Sequence, residues 1–224
     1  MDLFGNALVY LSRSPYAGVL FPTSTESLEA IMRGLDPNSE DTILAVGGCG
    51  DQAFALLEKA GRVVVTDVNQ SQLELIRKRK EALAAEDYIK FFLGTGSDFE
   101  FFNSDYRVKY FSDKTRIDLI RQNLQNLEIG HARSIEEHTS TATFSKIYAS
   151  DAISQRHSNI DMRSHLRLVL IGLRKHGLLY IANGDEINRL VPNILSLGIQ
   201  VEHELTGRAQ AAEALYRPTV YKKI

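Results

Sequence analysis

Short apolar runs alternate with longer amphipathic stretches along most of this chain. Thr42-Ile-Leu-Ala-Val-Gly-Gly-Cys-Gly-Asp51 is an apolar run ending in three glycines within four residues, and it predicts a strand at about 42–47. Gln52-Ala-Phe-Ala-Leu-Leu-Glu-Lys-Ala60 has helical spacing and is followed by Gly61, so a helix is expected over about 51–60. The next apolar run, at about 62–67, ends in Asp67. Residues 70–85 are rich in Leu, Glu, Lys, Arg and Ala, all good helix formers, and predict a second helix. Upstream, Thr23-Ser24-Thr25 precedes Glu26 and the amphipathic stretch from Leu28 to Leu35, which reads as a capped helix ended by Gly34 and Pro37.

Residues 87–123 break this rhythm. Phe91, Phe92, Phe99, Phe101, Phe102, Tyr106, Tyr110 and Phe111 crowd together there, punctuated by Gly94, Gly96, Asp98 and Asn103. The segment reads as a mostly helical insertion before a third strand at about 125–129. Further strands are expected at about 144–149, 178–182, 199–206 and 215–223, with helices near 160–175 and 185–197.

Strands alternating with helices imply an α/β chain with a doubly wound, mostly parallel sheet of seven strands. No helix is expected between the last two strands, so 207–214 is read as a loop closing an antiparallel hairpin. A βαβ series closed in this way resembles the Rossmann-like methyltransferase fold. The expected organisation is an N-terminal lid and helical segment over residues 1–40, then one nucleoside-binding domain over 41–224 carrying the 87–123 insertion.

Composition narrows the class further. The chain has 224 residues, a net charge of −2 and one cysteine, Cys49. That balance offers no general attraction to nucleic acid or to anionic membranes. One cysteine permits no intrachain disulfide, and a reducing cytoplasmic setting is expected. The N-terminus lacks a secretion signal pattern and no apolar run is long enough to span a membrane. His157, His165, His176 and His203 do not have metal-ligand spacing, so no metal is expected.

The glycine loop and Asp67 carry the candidate chemistry. A strand, a glycine turn, a helix and a second strand ending in a carboxylate form a unit that binds a nucleoside, with the acid accepting from ribose hydroxyls. The loop departs from the dinucleotide pattern, because no glycine stands three residues after Gly50. Asp51 at the helix start is expected to repel a pyrophosphate and to suit a positively charged ligand without phosphate. S-adenosylmethionine is such a ligand. A dinucleotide and a purely structural glycine turn remain the alternatives from spacing alone.

A resemblance adds to this reading. Ile43-Leu-Ala-Val-Gly-Gly-Cys-Gly, then Val65-Thr-Asp-Val-Asn-Gln-Ser-Gln-Leu73, then a basic helix through Lys80 and Ala82, resembles the S-adenosylmethionine:diacylglycerol 3-amino-3-carboxypropyltransferases of betaine-lipid synthesis. A weaker echo is Ile147-Tyr-Ala-Ser-Asp151. The chain departs at Gly50 and Gln70, where that family has Asn and Pro, and is about half the family's usual length. The resemblance implies cleavage of the sulfur–Cγ bond with release of 5′-methylthioadenosine. That cleavage serves aminocarboxypropyl transfer, or intramolecular closure to azetidine-2-carboxylate. Methyl transfer to a small molecule, and S-adenosylmethionine binding without catalysis, are the competing readings.

Residue roles follow. Gly47, Gly48, Cys49 and Gly50 are expected at the ligand's amino-acid end, with Cys49 packing rather than attacking. Asp67 is expected on the ribose, Val68 and Asn69 beside it, and His131 and Ala132 near the adenine. Ser150 and Asp151 follow the fourth strand, where the reacting end is expected, and Asp151 is a candidate for the substrate ammonium or its proton. Tyr10 and Tyr16 are candidates on a lid, where an aromatic face stabilises a sulfonium by about 0.5–2 kcal/mol. Arg208 and Tyr216 are candidates for contact with a carboxylate. The expected partner is a small molecule, or none beyond S-adenosylmethionine, with a homodimer possible and no nucleic acid.

Overall fold

A computed structural model of the protein describes residues 19, 21, 23–93, 105–153, 159–191 and 193–224. Helix α1, Leu28–Leu35, starts at Ser27, whose side chain accepts from the Ala30 amide, so the cap lies beyond the expected threonines. The helix runs through Gly34 to Leu35 and is closed by Asp36 in the left-handed conformation (φ 45°), between the Gly34 and Pro37 expected to end it. Strand β1 is Thr42–Val46, helix α2 Asp51–Leu57, strand β2 Arg62–Thr66 and helix α3 Gln70–Ala84. The aromatic insertion supplies α4, Tyr88–Leu93, α5, Asp105–Phe111, and α6, Lys114–Gln122. Phe99, Phe101 and Phe102 lie outside the described residues. Strand β3 is Leu127–Ile129, helix α7 Ile135–Thr139, strand β4 Phe144–Tyr148, helix α8 Asn159–Ile171 and strand β5 Leu173–Ile181. Helix α9, Gly184–Leu190, stops short of Pro192, as the bias against helix before proline requires, and a 3₁₀ turn at Ile194–Leu197 replaces the rest of the expected helix.

The end of the chain differs from expectation. Strand β6 is only Ile199–Val201, and helix α10, His203–Gln210, stands between it and β7, Thr219–Lys223. Thr206 and Ala209, three positions apart, are the buried residues of α10. That i, i+3 pair is a helical signal, which the apolar–polar alternation of Val201-Glu-His-Glu-Leu205 obscures.

All seven strands form one sheet in the order β3-β2-β1-β4-β5-β7-β6. The first five pair in parallel, whereas β7 is antiparallel to both β5 and β6. The doubly wound, mostly parallel sheet with an antiparallel C-terminal pair is therefore as expected.

Alternation along the central strands sends successive side chains to opposite faces. Ile43, Ala45, Val63, Val65, Tyr148 and Tyr180 pack in one core with residues of α1, α2 and α3. Leu44, Val64, Ile147, Leu179 and Ile181 pack in a second core with Met162, Leu166 and Val169 of α8. Helices on both faces leave the carboxyl ends of β1 to β4 open at one edge. Strand order reverses between β1 and β4, and ligands bind at such a point in open α/β sheets. Among the described residues, no helix is long and apolar enough to cross a membrane, and no group of three or more His, Cys, Asp or Glu is placed to hold a metal.

Candidate functional site

A cavity of about 460 Å³ opens at that edge. It lies within the range of about 300–1,000 Å³ typical of small-ligand sites. Four turns build it. The turn after β1 contributes Gly48 and Cys49, the turn after β2 contributes Asp67 and Val68, and the turn after β4 contributes Ser150, Asp151 and Ala152. The turn after β3 contributes Arg133, Ser134 and Ile135 rather than the expected His131 and Ala132, which are exposed and do not line it.

The glycine loop turns tightly. The Gly50 amide donates to the Gly47 carbonyl at 2.8 Å, and Gly48 and Gly50 have φ of 47° and 87°. L side chains rarely adopt this region, which is why the turn takes glycine. Asp67 closes the loop from the next strand. Its Oδ2 accepts from the Gly48 amide at 3.0 Å and its Oδ1 from the Asn69 amide at 2.8 Å. Burial raises its carboxyl above the usual range, against the pull of those amides. An ionised carboxylate accepts about four hydrogen bonds, so each oxygen retains capacity for a ligand hydroxyl. Gly47, Gly50 and Asn69 support this arrangement from outside the lining, Asn69 by capping α3 through the Ser71 amide at 2.8 Å. Val68 is 73% exposed and presents an apolar wall.

Asp51 is corrected. Its side chain is fully buried and faces inward, so it sets no charge condition on a ligand. Oδ1 meets the buried guanidiniums of Arg79 at 2.6 Å and Arg107 at 3.1 Å. Burial alone would raise this carboxyl, but Arg79 and then Arg107 outweigh it and hold it below the usual range. Oδ2 accepts from the Ser24 amide at 3.2 Å and from the Cys49 thiol at 3.1 Å. Burial, reinforced by the Asp51 charge, pushes that thiol far up, which suits the packing role expected of Cys49.

Sequence reasoning missed Glu26. Residues 23–26 cross to the cavity and line it, fixed by Ser24 at Asp51 and by the Gln52 amide donating to Ser24 Oγ at 2.9 Å. Thr25 Oγ1 and Tyr216 Oη are 2.7 Å apart, and Tyr216 lines the cavity. Arg208, the other residue expected on a carboxylate, does not line the cavity and stands 3.5 Å from Asp36 Oδ1. Glu26 itself is 5% exposed. Its Oε1 accepts from Tyr148 Oη at 2.8 Å and from Ser150 Oγ. Ser150 holds the left-handed conformation (φ 48°), which costs about 1–2 kcal/mol in a residue with a side chain. Glu26 Oε2 is buried and has no hydrogen-bond partner among the described residues. Burial, with Asp151 and Glu213 nearby, pushes the carboxyl up to about 7, although the two hydroxyls pull the other way. Asp151 is half-buried and accepts from Asn183 Nδ2 at 2.9 Å. Tyr10 and Tyr16 lie outside the described residues.

This sheet order, with the glycine loop after β1 and the carboxylate after β2, is the Rossmann-like fold of class I methyltransferases. Known proteins agree at the level of fold. The N-methyltransferase NodS from Bradyrhizobium japonicum WM9, solved with S-adenosyl-L-homocysteine, superposes with a TM-score of 0.50 at 10% identity, over 96% of this chain and 90% of that one. TrmN from Thermus thermophilus superposes with a TM-score of 0.52 at 16% identity, over 88% of this chain and 48% of that one. In sequence, 58 residues are 38% identical to a mitochondrial ribosomal RNA small subunit methyltransferase of Arabidopsis thaliana. That stretch spans 25% of this chain and 15% of the curated relative. No family model matches the chain.

Proposed function

We propose that the chain is an S-adenosylmethionine-dependent enzyme. The observation that carries this reading is the Asp67 carboxylate, anchored by the Gly48 amide and spare in acceptor capacity, beside an apolar wall in one cavity at the switch point of the sheet. Asp67 holds the ribose hydroxyls, Val68 and Ile135 flank the base, and the Gly48–Cys49 turn takes the amino-acid end. S-adenosylmethionine supplies an electrophilic carbon on a sulfonium, with a neutral thioether as leaving group. The protein's part is to place a nucleophile in line, strip it of water and take up its proton. Ser150 and Asp151 stand at this end.

The finer reading is cleavage of the sulfur–Cγ bond with release of methylthioadenosine, by aminocarboxypropyl transfer or by closure to azetidine-2-carboxylate. The Gly-Gly-Cys loop and the Asp67-x-Asn69-x-x-Gln72 continuation support it. The second reading is methyl transfer to a small molecule; the NodS structure, similar in fold, is that of an N-methyltransferase.

One incubation separates them. Purified protein with S-adenosylmethionine alone, followed by mass spectrometry, is expected to form methylthioadenosine faster than a protein-free control. Formation of S-adenosylhomocysteine, and only with an added acceptor, rejects the finer reading. Binding without turnover indicates a non-catalytic protein. Separately, Asp67→Ala is expected to weaken nucleoside binding at least tenfold, since a charged hydrogen-bonding group contributes about 1.5–3 kcal/mol. Unchanged affinity in equilibrium dialysis rejects the ribose assignment.

A further inference from the structure

We propose that Glu26 is the ammonium-holding and proton-accepting residue of this cavity, and that it takes the α-amine of the ligand's amino-acid end. The proposal rests on the S-adenosylmethionine reading above and assigns to Glu26 a role that sequence reasoning gives to Asp151.

Geometry supports it first. Glu26 is carried to the cavity wall by a segment tied at Ser24 and Thr25, and Ser27 adds a third tie by donating its amide to Glu213 Oε2 at 2.8 Å. One carboxylate oxygen is fixed by two hydroxyls, Tyr148 on β4 and Ser150 in the turn after it. The other is buried, lacks a partner among the described residues, and belongs to a side chain that lines the cavity. A carboxylate fixed at one oxygen and unpartnered at the other has capacity for a donor.

Charge balance supports it second. Among the described residues, the groups that bear on the Glu26 charge are Tyr148 on β4, Tyr180 on β5, Ser150 and Asp151 after β4, and Glu213 and Tyr216 between α10 and β7. None is a cation, and Glu26 forms no ion pair among the described residues. The Asp151 and Glu213 carboxylates oppose its ionisation. A buried carboxylate among carboxylates lacks positive charge, which a ligand ammonium supplies.

Proton balance is simple. Ionised Glu26 takes one proton from the ammonium and becomes a neutral carboxyl, leaving the nitrogen lone pair available. Its position near neutrality matches this exchange, since a base works best when its pKa lies near the working pH.

The test is binding of S-adenosylhomocysteine and of its deaminated analogue to wild type and Glu26→Gln. The Gln side chain keeps an acceptor for Tyr148 and Ser150, so the fold is preserved. At pH 8 the substitution is expected to weaken S-adenosylhomocysteine binding about tenfold or more, as loss of a charge-assisted hydrogen bond does. Binding of the deaminated analogue is expected to hold or tighten. Equal affinity of both proteins for S-adenosylhomocysteine, or equal loss of both ligands, overturns the role of Glu26. Failure of wild type to bind either ligand instead rejects the S-adenosylmethionine reading, and this proposal falls with it. A second measurement needs no variant. In wild type, the ¹³C-carboxyl titration of Glu26 is expected near 7 in the free protein and lower with S-adenosylhomocysteine bound. An unmoved or raised midpoint overturns the proposal.

Discussion

At the scale of single residues, two glycines in one turn have different tasks. Gly50 has φ 87°, and a Cβ there would stand 2.8 Å from Ile76 Cγ1 and 3.3 Å from the Phe54 ring. Ile76 and Phe54 are fully buried and have nowhere to go. Gly48 has φ 47° but open space where its Cβ would be. Gly50→Ala therefore combines backbone strain with overpacking, about 2–5 kcal/mol. Gly48→Ala carries the backbone term alone, about 1–2 kcal/mol. Urea unfolding of the two variants checks this, and equal losses contradict it. The pair was legible in sequence as a glycine turn, because its chemistry is local. Glu26 was not. In the linear chain it reads as part of a helix-start signal, and its partner Tyr148 lies 122 residues away. Buried charge assembled across such a separation leaves no spacing to read. Asp51 failed for the same reason. Its position at the helix start was clear, but Arg79 and Arg107, which turn its charge inward, lie on other elements.

At the scale of elements, that buried cluster ties the glycine loop to the insertion. Asp51 begins α2, Arg79 sits on α3 and Arg107 on α5. The Arg79 guanidinium also stands 5.1 Å from the Phe54 ring centroid and 4.7 Å from that of Phe91 on α4. One carboxylate thus serves two guanidiniums, each 1% exposed at its side chain. Asp51→Asn removes the carboxylate that both guanidiniums meet, whereas Arg107→Met leaves the Arg79–Asp51 pair in place. Asp51→Asn is expected to cost at least 3–5 kcal/mol, roughly the penalty for stranding a buried charge. Arg107→Met is expected to cost clearly less in the same unfolding assay, and the reverse order contradicts the central role of Asp51. The elements themselves were mostly legible. Four-to-six-residue apolar runs and 3.6-residue periodicity recur clearly from β1 through α3. Legibility failed at α10, a helix with only Thr206 and Ala209 buried, too few apolar positions for the periodicity to stand out.

At the scale of the whole molecule, Glu26 links site chemistry to folding. Its carboxyl has an ordinary value of 4.5 and about 7 in the folded protein. Above 4.5 the unfolded chain releases this proton while the folded chain still holds it, so stability falls as pH rises. The loss is complete above about 7 and amounts to about 3 kcal/mol, on the order of 1.4 kcal/mol per pH unit between the two values. Glu26→Gln removes the penalty. The variant is expected to melt several degrees above wild type at pH 8 and at the same temperature below pH 4.5, since about 1 kcal/mol shifts a domain of this size by 2–4 °C. A ligand ammonium offsets the same penalty from outside. S-adenosylhomocysteine is therefore expected to raise the melting temperature of wild type more at pH 8 than at pH 6, while its deaminated analogue shows no such gain. Scanning calorimetry of wild type and Glu26→Gln at both pH values measures all of these shifts. If S-adenosylhomocysteine protects the Gln variant with the same pH dependence as wild type, the coupling does not run through Glu26. If wild type is as stable at pH 8 as at pH 4.5 relative to the variant, the buried carboxyl does not bear its charge as the geometry around Tyr148 and Ser150 requires.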